Sequence, residues 1–559
     1  MVGFAVTEFA GAMPNRDIRL LPENAAALAV NMRPASGALE PVRVPRFIIA
    51  LQPTTRAVYR IPLGALQDLS SGVNWYMQFA DPDTDVVKNP AVNDSFERYF
   101  WASPSTGLRQ ATKAQILAGS NGGAGYGTGV QRPTTPVTLD TLGATQTDGN
   151  GVPVLPKTTR SYIVTFISAY GEEGAPSPAA EATGYADQIW RLRDIPQPVI
   201  VAGQTDITVV RVYRTVTAAS GSTVFNRVVD LPLGQLIYQD TRSDLDVSGD
   251  LQLDSENADP PPPMDGLALM PNGVMVGFKG QNLYFSEDFK PWSWPVAFTL
   301  TVQHPIVGLA VYGNTCVVCT TGNPCMVTGN TGAAMSLATY DTAMPCLSRQ
   351  SIVTAPEGVY WATTDGLALY TPSGVQIVTE SLIGRDRWVE QYSPTTLEGV
   401  LAYGAYTGIR TTSGGVGFTF PGGGSLVEYD QLSATVDRCR VGIDHWSNRP
   451  WLIRDGALYE WLPHDTERTT YQWRSKEFQT PVPVNMGAVV AYFDTDVDPT
   501  VTVSIFAGRT LVWSQAVQSG EIRRLPAGFK SDVWQIGLTG RAKVHKAQVG
   551  QTVADLRRV

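Results

Sequence analysis

Short runs in which apolar and polar residues alternate recur along most of the 559-residue chain. Residues 160–166, 358–361 and 367–370 are typical of these runs, and each contains β-branched or aromatic side chains. A period of two predicts strands, because successive side chains of a strand point to opposite faces of the sheet. Helical spacing is rare and predicts helices only at residues 23–31 and 111–119. Since the chain is too long for a single core, we expect a mainly β, multi-domain protein.

Between residues 264 and 470, four pairs of runs share the order strand, short polar turn, strand. Glycine-containing turns between strands favour hairpins. Three of the four turns are spaced by roughly 40 residues, the length of one propeller blade. This spacing predicts a β-propeller-like domain over residues 264–470, and a similar pattern within residues 46–135 predicts one further blade. The turns are Lys279-Gly280, Thr321-Gly322, Asp365-Gly366 and Asp455-Gly456.

Composition divides the rest of the chain. Glycines at 122–129 and prolines at 260–263 flank a region whose short strands are separated by Gly/Pro turns. We interpret residues 150–258 as a β-sandwich inserted into the propeller-like part. Residues 1–45 are expected to dock on a β-platform, and residues 471–559 are expected to form a C-terminal β-sandwich or platform domain. The segments that make the insertion similar to fibronectin type III modules are Tyr162-Ile-Val-Thr165, Gly171-Glu-Glu-Gly174 and Ser177-Pro178.

The charge and cysteine content restrict the function classes. The net charge is −9 and the isoelectric point is near 5.1, whereas tight nucleic-acid binding requires a basic surface. Five cysteines are too few for a disulfide framework in a chain of this length, which favours a reducing compartment. The N-terminus lacks the basic start of a signal peptide, and no apolar run is long enough to predict a membrane span.

Two patterns resemble metal sites without completing them. Cys316 and Cys319 have opposite parity in a predicted strand, so they should face different cores as small buried residues. The Asp494-x-Asp496-x-Asp498 pattern begins like a calcium loop, but Pro499 and Ile505 replace the required glycine and glutamate. We interpret these aspartates, and likewise Asp81, Asp83 and Asp85, as solvated hairpin tips. We predict neither a metal, a cofactor nor a catalytic residue, and hence no enzyme.

A cluster of aromatic residues and prolines follows the strand that ends near residue 285. Proline fixes the backbone and lacks an N–H donor, so this strand must stop. Large aromatic side chains held in place by prolines are suited to anchoring a second subunit. The candidate interface residues are Phe289, Pro291, Trp292, Trp294 and Pro295.

This cluster, together with residues 305–309, resembles the tail nozzle (tail tubular protein B-like) subunits of short-tailed, podovirus-type bacteriophages. The N-terminal order of small, proline and asparagine residues also resembles the start of those subunits, as do residues 473–540 at the other end. The resemblance touches all five segments of the chain. The N-terminal positions that carry it are Phe9, Gly11, Pro14, Leu20, Leu21, Pro22, Asn31, Ser36, Gly37, Leu39 and Pro41.

The resemblance implies a structural virion protein, assembled in the bacterial host cytoplasm and located in the tail. Six copies would form a ring that extends the DNA-ejection channel below the tail adaptor, the head-to-tail connector. The ring would anchor tail fibres or tailspikes, approach the host cell surface and pass double-stranded DNA without sequence-specific binding. The alternatives are a glycan-binding or depolymerising tailspike component and a host sugar-binding propeller lectin.

Basic residues concentrate near the C-terminus. They could face the channel as a DNA-contacting ring, or they could be solvated edge charges that discourage pairing between sheets. The acidic net charge favours the second interpretation. The residues are Arg523, Arg524, Lys530, Arg541, Lys543 and Lys546.

Overall fold

The computed structural model describes residues 3–33, 37–62, 75–120, 125–200, 207–217, 223–410, 414–419, 424–430 and 440–557. Strands contain 48% of the residues and helices 7%, and the strands are distributed over many small sheets. The prediction of a mainly β protein with several sheets is therefore confirmed.

The N-terminal third contributes short strands to several different sheets. These are β1 (Gly3–Val6), β2 (Ala26–Val30), β3 (Arg46–Ala50), β4 (Ala57–Arg60), β5 (Tyr76–Phe79), β6 (Asp85–Lys88), β7 (Arg98–Ser103), β8 (Gly107–Thr112) and β9 (Tyr126–Gly127). Helix α1 (Lys113–Gln115) follows β8 and continues as a π-helical turn, Ile116–Ser120.

The two predicted helices have different outcomes. Residues 23–31 are not helical, because β2 pairs in parallel with β32 (Ser425–Tyr429) and antiparallel with β36 (Tyr471–Ser475). Pairing with distant strands overrides the helix preference of the alanines. The helix expected at residues 111–119 is confirmed in part, since Thr112 and Gln115 form a capping box at the start of α1.

Residues 138–248 form two sheets that face each other. One sheet has the order β10-β13-β16 and the other the order β12-β11-β14-β15. Tyr162, Trp190 and Val212 belong to the core that the two sheets share. The elements are β10 (Thr138–Leu142), β11 (Lys157–Ser168), β12 (Ala180–Tyr185), β13 (Ile189–Arg193), β14 (Ile207–Thr217), β15 (Thr223–Pro232), β16 (Tyr238–Asp240) and α2 (Asp244–Ser248).

Residues 266–377 form three antiparallel sheets of four consecutive strands each. The first contains β17 (Gly266–Leu269), β18 (Met275–Lys279), β19 (Asn282–Phe285) and β20 (Thr299–Thr301). The second contains β21 (Ile306–Tyr312), β22 (Thr315–Thr320), β23 (Cys325–Thr328) and β24 (Ser336–Thr339), and the third contains β25 (Val353–Ala355), β26 (Gly358–Ala362), β27 (Leu367–Thr371) and β28 (Gly374–Ile377). Short 3₁₀ turns occur at Val296–Phe298, Gly332–Ala334 and Arg349–Ser351.

Helix α3 (Arg385–Tyr392) leads into two more groups of strands. These are β29 (Glu398–Ala402), β30 (Ala405–Arg410), β31 (Gly414–Thr419) and β32, then β33 (Arg440–Asp444), β34 (Arg449–Arg454) and β35 (Ala457–Glu460). Strand β3 is the outer strand of the last group, which has the order β3-β35-β34-β33. All four predicted turns join antiparallel pairs, so the predicted hairpins are confirmed.

Seven groups of strands are arranged in a cycle in the described part of the chain. Their first strands are neighbours in the order β6, β17, β21, β25, β29, β33 and β4. Shared cores lie between successive groups, and the pair β4–β5 also shares a core with the sheet β6-β7-β8-β9. The apolar faces of each sheet are therefore covered by the two sheets beside it.

The C-terminal residues build two sheets that incorporate the N-terminus. The strands are β36, β37 (Phe478–Val484), β38 (Ala488–Phe493), β39 (Thr500–Ala507), β40 (Thr510–Gln518), β41 (Arg523–Arg524), β42 (Ser531–Gly540) and β43 (Val544–Gly550). One sheet has the order β1-β43-β38-β41. The other continues from β32 through β2 to β36, β42, β39 and β40, so β2 joins the cycle to the C-terminal strands.

A buried ion pair connects the sandwich of residues 138–248 to the cycle. Arg98 on β7 contacts the carboxylate of Glu172, which lies in the turn after β11, and both side chains are buried. The Arg98 guanidinium also lies 4.7 Å from the ring centre of Tyr170 in the same turn. Burial raises the pKa of Glu172, although the charge of Arg98 opposes that shift.

We expect Arg98→Met to destabilise the protein by about 3–5 kcal/mol, because it leaves two buried carboxylates without this partner: that of Glu172, and that of Asp94, which Arg98 also binds at 3.2 Å. The control is Arg132→Met, which removes the half-exposed pair between Arg132 and Asp259 and should cost about 1 kcal/mol or less. Chemical denaturation measures both variants. Equal losses would contradict the role of Arg98 in this contact.

Candidate functional site

The first strands of six sheets enclose a cavity of about 610 Å³. Its wall combines backbone and apolar side chains with a few charged groups, and it lies where the sheets of the cycle converge. Representative lining residues are Asp85, Leu269, Ala310, Arg349, Leu401 and Ile443. A smaller cavity of about 300 Å³ adjoins it and is lined by Tyr59, Glu398 and Arg440.

Arg349 connects three of the converging sheets. Its guanidinium donates to the Asp85 carboxylate at 2.5 Å and to the backbone carbonyl of Asp265 at 2.9 Å. Glycines at 266 and 308 leave room for this side chain, because a Cβ at Gly266 would clash with the guanidinium. The lack of a side chain at these positions therefore allows Arg349 to reach from one sheet to another.

The residue after Arg349, Gln350, makes a second connection to the segment that leads into β6. The Gln350 amide donates to the carbonyl of Pro82 at 2.8 Å and to the Asp83 carboxylate at 2.6 Å. Asp83 and Asp85 are thus bound within the cycle, and the prediction that they are solvated hairpin tips is wrong. It failed because their partners lie more than 260 residues away in the sequence.

Glu398 begins β29 and is almost completely buried. One carboxylate oxygen contacts the Arg440 guanidinium, and the other accepts a hydrogen bond from the Val441 amide at 3.2 Å. Burial raises the pKa of Glu398 to about 7, and the nearby Asp83 charge acts in the same direction. The attraction of Arg440 therefore does not offset the loss of water around this carboxylate.

A second ion pair, partly buried, lies at the other end of β33, where Asp444 is the last residue of the strand. Asp444 accepts a hydrogen bond from Arg60 at 2.9 Å and one from the Ser447 hydroxyl at 2.7 Å. Burial raises the pKa of Asp444, but these hydrogen bonds outweigh it and the net pKa is lowered. Burial also lowers the pKa of His445, whose ring lies 5.7 Å from that of Tyr59.

The charged groups around the cavity are thus already paired within the chain. Carboxylates and guanidiniums that bind each other across different sheets fix the positions of those sheets relative to each other. A charged ligand in the cavity would have to compete with these ion pairs. Within the residues that the structure describes, no group of three or more His, Cys, Asp or Glu side chains is placed to hold a metal ion. The arrangement fits a structural role of these charges.

The cysteines divide between two neighbouring cores. Cys316 and Cys325 lie in the core between the sheets of β17 and β21, whereas Cys319 and Cys346 lie in the next core. The predicted opposite orientation of Cys316 and Cys319 is confirmed. Cys439 lies outside the described residues. Asp494 and Asp496 are exposed, as predicted. They do not lie at a hairpin tip, because the strands on either side, β38 and β39, belong to different sheets and do not pair.

The aromatic and proline cluster departs from the predicted anchor. Trp294 is only 2% exposed, packs in the core between the β6 and β17 sheets, and donates its indole N–H to the Pro291 carbonyl at 2.9 Å. Pro291 and Pro295 are buried too. These three residues therefore face the interior of the chain and are unsuited to anchoring a second subunit. Trp292 is partly buried and Phe289 is 51% exposed, so only these two retain surface for a partner.

The six C-terminal basic residues differ in their surroundings: at least two of them bind carboxylates, and the others differ in how exposed they are. Arg541 binds Glu467 at 2.6 Å and Asp498 at 3.0 Å, and Arg523 binds Glu521 at 2.9 Å. Arg524 and Lys530 are exposed, whereas Lys543 and Lys546 are partly buried. Carboxylates therefore already neutralise part of the positive charge that a DNA-contacting ring would need. The part of the chain that the structure describes contains no helix long and apolar enough to cross a membrane.

No protein-family model matches the chain, and no curated protein matches it. Similar solved structures include BBS1N in complex with ARL6DN, at 10% identity over 46% of this chain and 88% of that chain, with a TM-score of 0.25. The N-terminal domain of Nup159 is 9% identical over 59% and 87%, with a TM-score of 0.23. An exo-β-1,3-galactanase from Phanerochaete chrysosporium is 9% identical over 90% and 99%, with a TM-score of 0.19. Similarity at this level carries no argument about function.

Replacement of Glu398 should change how stability depends on pH. A carboxyl whose pKa is about 7 when folded and 4.5 when unfolded stabilises the folded state at low pH and loses that contribution as the pH rises from 4.5 to 7. Relative to Glu398→Gln, the wild-type protein should therefore lose about 3 kcal/mol of unfolding free energy over this range. The exposed Glu390 provides the control substitution. Denaturation curves that differ by the same amount at every pH would contradict the assignment.

The two tryptophans of the cluster should differ in their effect on stability. Trp294→Ala should cost about 3–5 kcal/mol, because it opens a cavity in a packed core. Trp292→Ala should cost clearly less, because its ring is only partly buried. Chemical denaturation of both variants gives the comparison, and a larger loss for Trp292→Ala would reverse our description of the cluster.

Proposed function

We propose that the cycle of sheets is a seven-bladed β-propeller and that residues 138–248 are a fibronectin type III-like sandwich inserted between two of its blades. We further propose that the chain is a tail nozzle subunit of a short-tailed bacteriophage. In this function six copies form a ring below the tail adaptor, extend the DNA-ejection channel and anchor tail fibres or tailspikes. The chain then acts as a structural part of the virion tail and not as an enzyme.

The observation that carries this proposal is the position of the N-terminal residues on which the resemblance depends. Gly11 lies against β32, where an added Cβ would come within 2.5 Å of the Leu426 carbonyl oxygen. Phe9 packs edge-on against Trp473 of β36, with ring centres 4.9 Å apart. These two residues contact the last strand of one proposed blade and the first strand of the C-terminal sheets.

Asn31 makes the same connection through hydrogen bonds. Its side-chain amide contacts the Asp430 carboxylate and donates to the Thr470 carbonyl at 3.1 Å, and its φ of 55° is a conformation that asparagine tolerates. The residues that carry the resemblance to nozzle subunits therefore make specific structural contacts in this fold. Because these residues are needed by the fold, we favour a common architecture over chance similarity as the reason for the resemblance.

The central cavity of one subunit is too small to be the DNA channel, which favours a channel formed between several copies of the chain. The major groove of double-stranded DNA is by itself about 12 Å wide, whereas the cavity holds about 610 Å³ and Arg349 reaches between its sheets. A conduit for DNA would thus have to lie between subunits. Contacts that repeat head to tail around an axis close into such a ring.

The proposal predicts six copies of the chain on the tail axis of each virion. Electron microscopy of particles that contain this protein should give a six-fold ring with an open axial channel, and quantitative mass spectrometry should give the same copy number. Three copies at the tail periphery would instead indicate a tailspike component, and a single copy would contradict both functions.

A further inference from the structure

Strand β40 is unusual among the sheet edges of this protein. It is the terminal strand of the large sheet, it pairs with β39 over its whole length, and no other strand of the described chain pairs with it. Its nine residues, Thr510 to Gln518, include no charged residue and no proline. Exposed edges of this length and composition invite pairing with another chain, and proteins normally protect them.

The other long edge strands of the described residues carry such protection. Strand β15, with ten residues, includes Arg227, Asp230 and Pro232. Strand β12 includes Glu181, and β37 includes two prolines. Strand β21 is uncharged, but it lines the central cavity. Protection is thus absent only at the one long edge that faces outward.

The register of β39 and β40 indicates which amides point outward. The Gln518 amide donates to the Glu521 carboxylate at 3.0 Å, and the Gln518 carbonyl accepts from the Glu521 amide at 3.1 Å, so neither group bonds to β39. In an antiparallel pair this orientation repeats at every second residue. Ala516 and Ser514 therefore present their N–H and C=O groups at the free edge. The pattern holds from Gln518 back to Trp513, where a bulge shifts the register.

A positive charge at the start of β40 restricts which polypeptide segments can bind along this strand. Arg509 directly precedes β40, and its side chain remains 88% exposed although it lies 3.6 Å from the Glu477 carboxylate. At the other end Glu521 is paired with Arg523. A strand laid along β40 would thus meet an uncharged edge with one exposed positive charge beside it.

We propose that β40 is a binding site for an extended segment of a different polypeptide, which adds a strand to the large sheet. The segment is uncharged over the length of β40 and carries an acidic residue at the end that lies against Arg509. Backbone hydrogen bonds supply most of the recognition, as in other cases of strand addition. This site does not depend on the six-copy ring proposed above.

The test uses the full chain and a fluorescein-labelled peptide with the sequence Asp-Thr-Val-Thr-Val-Thr-Val-Thr-Asp. Fluorescence anisotropy should show saturable binding. Ala516→Pro should raise the Kd at least tenfold, because proline removes an outward N–H at an edge position that tolerates it. Ala516→Thr retains the N–H and should bind as the wild-type protein does. Arg509→Glu should raise the Kd severalfold, whereas Arg524→Glu should not.

A second arm leaves the protein unchanged. A peptide with an N-methyl group at every residue has no N–H donor along either edge, so it should not bind. No binding of the unmodified peptide, or equal binding to Ala516→Pro and Ala516→Thr when both have the wild-type circular dichroism spectrum, would overturn the proposal. Concentration-dependent dimers that disappear in Ala516→Pro would show that a second copy is the occupant, which also contradicts it.

Discussion

The architecture depends on where the first fifty residues pair. Strand β1 completes a C-terminal sheet by pairing with β43, β2 lies between β32 and β36, and β3 completes the last sheet of the cycle by pairing with β35. Three short strands thus bind parts of the chain that lie about 400 to 550 residues away. Because those pairings close the cycle and attach the C-terminal sheets to it, neither part can form its full complement of backbone hydrogen bonds without them.

This long-range pairing also explains which features could be predicted from the sequence. The hairpin at Asp365-Gly366 depends on its own turn and flanking strands, so local pattern was sufficient. The opposite faces of Cys316 and Cys319 follow from strand parity alone. Residues 23–31 have the local pattern of a helix but form a strand, because the strands that pair with β2 lie about 400 or more residues away and leave no local signal.

The charged cavity could not be predicted from the sequence for the same reason. Asp85, Arg349 and Glu398 come from different sheets, and nothing in the residues around each one indicates that they converge. The prolines around Trp294 predict a surface anchor, yet its ring packs in the core beside β17 and its indole N–H binds the Pro291 carbonyl. An aromatic cluster alone does not distinguish an interface from a core, since both bury aromatic surface.

The closure by N-terminal strands is the central claim, because the residues on which the proposed function rests lie beside β2. Native-state hydrogen exchange tests it directly. If closure is cooperative, amides of β2, β3, β35 and β36 should exchange through one opening event with the same free energy. Early exchange in β2 and β3, with β35 and β36 still protected, would show that the cycle and the C-terminal sheets are stable without the N-terminus and would contradict the account.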